Sequence, residues 1–156
     1  LVFFGGADAQ GGTMAAQMRE LGLKARFVGG EMLKSPKFIE LAGPSAEGVI
    51  ASLAGLPLDK MPGGPGYAAK YKAKFNADVE IYSPYSYDAT RVMVAAMQRA
   101  DSTEPAKYVP ELAKTKLVGI SSANIEYDEK GDLKAGGITV YQVQKGTWFV
   151  LETAGL

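Results

Sequence analysis

Two apolar runs in the first 31 residues end in the same way. Leu1, Val2, Phe3 and Phe4 run into Gly5 and Gly6, and "ARFV" at 25 to 28 runs into Gly29, Gly30 and Glu31. Short Val- and Phe-rich runs stopped by glycine predict strands. Between them, from about Asp8, Met14, Met18 and Leu21 fall on one helical face, and Gly22 stands in the C-cap position. Strand, glycine loop, helix and strand in that order predict parallel strands joined by a crossover, the α/β layout, with Leu1 to Phe4 as a buried strand. The pattern then repeats. Ser35 before Pro36 is an N-cap and first-turn pair opening a short helix with Phe38, Ile39 and Leu41, closed by Gly43. "EGVIASLAG" supplies a third strand, completing a βαβαβ unit.

After Leu53 the pattern loosens. "GLPLDKMPGGPG" holds three prolines and four glycines in twelve residues, which predicts a loop or crossing and a boundary near Gly55. Beyond it Tyr67, Tyr71 and Phe75 recur at i, i+4 and i+8 with lysines between them, a stripe expected to be core. A second helix is expected from about Ser83 to Ala100, with Pro84 in its first turn and Val92, Met93, Ala96 and Met97 inward. A third is expected near Pro105 to Ala113. "GITVYQVQKGTWFVLE" reads as a β-hairpin around Lys145 and Gly146.

Composition removes whole classes of function. With 17 basic and 17 acidic side chains there is no net field to gather nucleic acid or anionic lipid, so neither is expected as a partner. Cysteine and histidine are both absent, which eliminates disulfides, thiolate zinc sites, and the commonest metal ligand and general base. No cofactor, metal site or enzymatic chemistry is expected. No run reaches the 18 or so apolar residues of a membrane span, and Leu1 opens a strand-like run rather than a signal-peptide leader. The opening therefore reads as the middle of a fold.

Gly6, four residues, Gly11, Gly12 and Thr13 come close to a phosphate-binding P-loop, but Gly12 stands where that loop needs lysine and Asp8 sets a carboxylate in the loop, opposing a phosphate. Asp8 is expected instead as the N-cap of the first helix. In open α/β sheets the ligand crevice lies outside the carboxyl ends of the strands. Gly5, Gly6 and Ala7 sit at one such end and Glu31 at the next, either as a cleft carboxylate or as a solvated loop residue. Tyr82, Tyr85 and Tyr87 crowd the start of a helix, where they either pack as core or line a pocket. "YDEKGDLK" at 127 to 134 lacks the ligand spacing of an EF-hand and reads as a hairpin turn.

Taken together, "FFGGADAQGGTMAAQMRELGLKARFVGGE", "AGPSAEGV", "YSYDATRVMVAAMQRA" and "YDEKGDLK", in that order, resemble the C-terminal half of the branched-chain amino-acid binding proteins, the periplasmic solute-binding subunits of ABC importers. The resemblance implies a type I periplasmic binding protein, with two Rossmann-like lobes of parallel sheet flanked by helices and joined by three crossovers. Residues 1–54 would form part of lobe 2, 55–136 part of lobe 1, and 137–156 the return crossing to lobe 2. It implies that Glu31 holds the ammonium group of the ligand, that Tyr82 lines the side-chain pocket, and that Ala7 stands at a contact position often occupied by tyrosine. An alanine there enlarges the pocket or admits water. Asp8 and Tyr85 complete the candidate ligand-binding set, and the groups gripping the ligand carboxylate would precede Leu1. The implied partners are a small zwitterion, a membrane permease, and the missing N-terminal half or a companion chain. The implied place is the periplasm, or a lipid-anchored position outside the cytoplasmic membrane. Rival readings are a ligand-sensing receptor domain of the same fold and, from another class, a Rossmann-like nucleotide-binding enzyme domain.

Overall fold

The computed structural model describes residues 1–155, and Leu156, at the end of the expected return crossing, lies outside them. The chain divides into two compact units, Leu1–Gly55 with Gly137–Gly155, and Leu56–Gly136.

The first unit is a sheet with helices on one face. Its strands are β1 (Val2–Phe4), β2 (Phe27–Gly29), β3 (Ile50–Ala54), β4 (Ile138–Gln144) and β5 (Thr147–Ala154), in that spatial order. β1, β2 and β3 run parallel; β4 and β5 add antiparallel, with Ala51 opposite Tyr141 and Gln142 opposite Phe149. Helix α1 (Asp8–Glu20) connects β1 to β2, and α2 (Pro36–Ala42) connects β2 to β3, so the βαβαβ unit forms. Ser35 caps α2 by accepting the Phe38 N–H at 3.0 Å, with Pro36 in the first turn. The hairpin turns on Lys145 and Gly146, both at positive φ (52° and 73°), the pairing a tight primed turn requires.

The core of this unit lies between the sheet and the two helices. Met18, Phe27, Phe38, Ala51 and Val143 belong to one buried cluster. Rings continue through it, Phe27 to Phe38 at 6.4 Å and Phe38 to Trp148 at 5.7 Å between centroids. The helices approach closely because Gly11 and Gly12 are helical residues of α1, both buried. A Cβ on Gly12 would stand 2.7 Å from the Leu41 Cβ and 3.2 Å from the Phe38 carbonyl, and one on Gly11 would overlap Leu33. The glycines that mimic a P-loop are thus a helix-crossing seat.

Three expectations for this unit are corrected. β1 is not a buried strand: it is the edge of the sheet, and Phe3, which points away from the helix-covered face, is 66% exposed. Leu21 is not on the packed face of α1 but 77% exposed, since the helix ends at Glu20 and Leu21 is its C-cap, just before the turn at Gly22 (φ 73°). Asp8 is the first residue of α1 rather than its cap, a position taken by Ala7 without a side-chain bond.

The second unit is built from α3 (Gly64–Phe75), α4 (Ser83–Ala100), α5 (Pro105–Leu112) and long loops. On α4, Val92 and Ala96 are buried as expected, with Pro84 and Asp88 on the same face. Asp88, 3% exposed, is its polar anchor: the carboxylate accepts the Ile120 and Ser121 N–H groups, both at 2.8 Å, and the Ser121 hydroxyl at 2.7 Å. The Tyr67, Tyr71, Phe75 stripe is not core. Its rings pack tilted against one another at 5.9 and 4.8 Å, but Phe75 is 56% exposed and the ladder forms the wall of a surface groove. Residues 127–134 form an antiparallel turn, in which the Asp128 carboxylate accepts the Lys130 and Asp132 N–H groups at 2.8 and 2.9 Å and Gly131 takes φ 87°. No helix among the described residues is long and apolar enough to cross a membrane.

Candidate functional site

In the first unit, β1 and β2 are hydrogen-bonded neighbours running the same way, with Phe4 opposite Gly29. The segments that follow them, residues 5–8 and 30–31, therefore emerge side by side at the carboxyl edge of the sheet. This brings Ala7, Asp8 and Glu31 to one rim. Within each glycine pair the two members differ. Gly6 and Gly29 are packing residues, since a Cβ on the first would overlap the Phe4 ring and one on the second the Leu33 side chain. Gly30 faces open space, and a Cβ on Gly5 would meet only Phe3, at 3.8 Å. The open glycines clear the rim above the strand ends, and the closed ones let the chain turn over the core.

Glu31 begins a single 3₁₀ turn, Glu31–Leu33, closed by the Leu33 N–H to the Gly30 carbonyl at 3.1 Å and the Lys34 N–H to the Glu31 carbonyl at 2.9 Å. Leu33 is fully buried beneath it. Glu31 itself is exposed, and among the described residues its carboxylate takes part in no hydrogen bond or ion pair. Asp8 differs. One oxygen accepts the Ala9 N–H at 2.8 Å and the other the Ser35 hydroxyl at 2.6 Å, so its charge is satisfied within the protein. The nearest cation in sequence to Glu31, Lys34, lies over the Tyr141 ring at 4.7 Å. The rim thus offers one carboxylate available to a cation from outside.

Tyr82 and Tyr85 belong to the second unit. Tyr82 immediately precedes α4 and is 45% exposed; Tyr85 is half-buried in its first turn. Tyr87 is 47% exposed, with its ring tilted against Tyr67 at 5.6 Å, so Tyr82 and Tyr87 lie at the surface rather than in the core. Three residues that shape the rim escaped the sequence reading as parts of a site. Leu33 plugs the seat left by Gly11 and Gly29; Ser35 links the two helix starts; and Trp148 donates its indole N–H to the Ser35 carbonyl at 3.0 Å. Ser35 alone carried a signal, as an N-cap, but its second partner lies 27 residues away.

A family model described as periplasmic binding protein matches residues 1–147. The chain belongs to that family. Among the curated members it is 33% identical over 150 residues to the Leu/Ile/Val-binding protein homolog 1 of Brucella suis, an alignment covering 94% of this chain and 39% of that protein. It is 31% identical over 144 residues to the leucine-, isoleucine-, valine-, threonine- and alanine-binding protein of Pseudomonas aeruginosa, covering 92% and 38%. Among solved structures, the leucine binding protein LivK of Thermotoga maritima superposes with a TM-score of 0.84 at 24% identity, covering 98% of this chain and 44% of that one. LivJ of Streptococcus pneumoniae, solved with isoleucine, gives 0.77 at 16% identity, covering 99% and 43%. The fold is that of the type I periplasmic binding proteins, and the chain spans about two fifths of the length of its curated relatives.

Proposed function

We propose that this chain is part of the solute-binding subunit of an ABC importer, acting outside the cytoplasmic membrane, which captures an amino acid or related small zwitterion between two lobes and presents it to a permease. Residues 1–54 and 137–156 are assigned to one lobe and 55–136 to the other, a reading supported by the compact units the chain forms. The relatives named as binding proteins for Leu, Ile and Val support the ligand class. No bond is made or broken; function is recognition followed by hinge closure.

The observation that carries this reading is the unengaged carboxylate of Glu31 on the open glycine rim. A primary ammonium stripped of water needs a charged acceptor, and a charge-assisted hydrogen bond is about twice as strong as a neutral one. Ala7, small and beside that rim, leaves room for a ligand side chain or a bridging water. Tyr82 and Tyr85 supply apolar faces with hydroxyls from the other lobe.

Glu31→Gln in the complete protein tests the assignment, because it keeps shape and removes charge. Loss of a desolvated ion pair costs about 2–5 kcal/mol, some tens to thousands fold in affinity, whereas loss of an exposed one costs about 0–1 kcal/mol. Calorimetry with L-leucine is expected to show the large loss, and N-acetyl-leucine is expected to bind the parent poorly. Affinity within about threefold of the parent would place the ammonium elsewhere.

A further inference from the structure

The turn that carries Glu31 is fixed at both ends. At its inner end Leu33 fills a seat that no side chain at Gly11 or Gly29 could share. At its outer end stands Ser35, whose groups are all committed. Its N–H goes to the Leu33 carbonyl at 2.8 Å, and its hydroxyl donates to Asp8 at 2.6 Å while accepting the Phe38 N–H at 3.0 Å. Its carbonyl accepts the Trp148 indole at 3.0 Å. Three separate elements therefore meet at one residue: the start of α1 through Asp8, the start of α2 through Phe38, and β5 through Trp148.

We infer that Asp8 and Trp148 are positioning residues for ligand binding, acting through Ser35 to hold the Glu31 turn without touching the ligand. The inference rests on the role proposed for Glu31. A carboxylate on an unsupported turn would lose binding free energy to ordering on every encounter; one held in place does not. The geometry also separates the two carboxylates of the rim by task. Glu31 is exposed and unengaged, whereas Asp8 spends both oxygens on the protein, so its charge serves the scaffold.

The test uses the full-length parent protein and three variants, Asp8→Ala, Asp8→Asn and Trp148→Phe. Amide hydrogen exchange reads the turn directly, with no ligand present, at the N–H groups of Leu33, Lys34 and Ser35. Asp8→Ala is expected to speed their exchange about tenfold, the loss of one charge-assisted hydrogen bond. Asp8→Asn, which keeps a hydrogen bond to Ser35, is expected to lose less protection than Asp8→Ala. Trp148→Phe, which keeps a ring against Phe38, is expected to cost a few fold. Affinity for L-leucine is expected to fall in the same order, and Asp8→Ala is expected to add little in a Glu31→Gln background, since the turn then has no charge left to position.

Exchange within twofold of the parent in Asp8→Ala would overturn the inference. Equal loss of leucine affinity in Asp8→Ala and Asp8→Asn with the turn amides undisturbed would also overturn it, making Asp8 a ligand contact. A Glu31→Gln protein that binds leucine as well as the parent would sink the ammonium reading instead, while the exchange rates would still decide whether Asp8 holds the turn.

Discussion

In the first unit the largest fully buried side chains are Phe38, Leu33 and Val143, apolar groups gathered over a sheet, with the Thr139 hydroxyl as the polar exception; in the second, Pro84 and Ala96 are joined by the carboxylate of Asp88. One region is ordered chiefly by apolar volume, the other in good part by polar satisfaction. The difference follows from what each has to pack against. A sheet face offers a broad surface on which rings and branched chains interlock, while α4 meets loop 119–121, whose backbone N–H groups need an acceptor. Position in the sheet and hydrogen-bond inventory, rather than residue type alone, decide which substitutions matter in each unit.

Phe38→Ala should break the comparison hardest. It empties the centre of the ring stack and should cost about 3–5 kcal/mol in urea denaturation of the full protein. Asp88→Ala, its polar counterpart, leaves the Ile120 and Ser121 N–H groups without their acceptor and should cost about 3 kcal/mol, although it removes almost no apolar area. If it cost less than about 1 kcal/mol, polar satisfaction would not be what orders the second unit. Next come the glycines. Gly29→Ala must displace Leu33 and should destabilise by about 1–3 kcal/mol, whereas Gly30→Ala meets open space and should leave stability unchanged or raise it by up to about 1 kcal/mol.

Phe75→Ala should sharpen the contrast from the other side. Phe75 has the same ring as Phe38, yet at 56% exposure its loss should cost no more than about 1 kcal/mol. The smallest effect concerns acid. The Asn124 side chain, and then Lys134, hydrogen-bond the Glu126 carboxylate and hold it below the usual carboxylate range. A carboxylate lowered on folding contributes stability that is fully present above its ordinary pKa and is lost as pH falls through the lowered value. Glu126→Gln should therefore cost a small amount of stability at neutral pH, where the contribution is fully present, and flatten the acid limb that the parent shows below about pH 4.

Much of this was readable along the chain. Strand-ending glycine pairs, the Ser35-Pro36 start and the Lys145-Gly146 turn are local signals, and each marks the element it predicted. The same local signal set Glu31 at a strand end but left it open between cleft and solvent; only the family resemblance gave it an ammonium to hold. What could not be read depended on distant partners. Asp88 looks like any polar residue in an amphipathic helix until loop residues 32 and 33 positions away arrive. The exposure of Phe3 depended on which strand took the sheet edge, and that of Phe75 on what α3 packs against. Which glycine of a pair is tight was equally hidden, because Leu33 and the Phe4 ring decide it.

One further consequence follows from how the chain leaves the first unit after Gly55 and returns at Gly137. Ala54 pairs with Ile138, the Gly55 N–H reaches the Gly137 carbonyl, and the buried Thr139 hydroxyl donates to the Gly55 carbonyl at 2.7 Å. The outgoing and returning strands are thus stitched together up to the last residue of the sheet. Mechanically they form a two-ply strap: a pull on either strand is shared with the other before it reaches the core. A change at Thr139 would be felt by both plies at once.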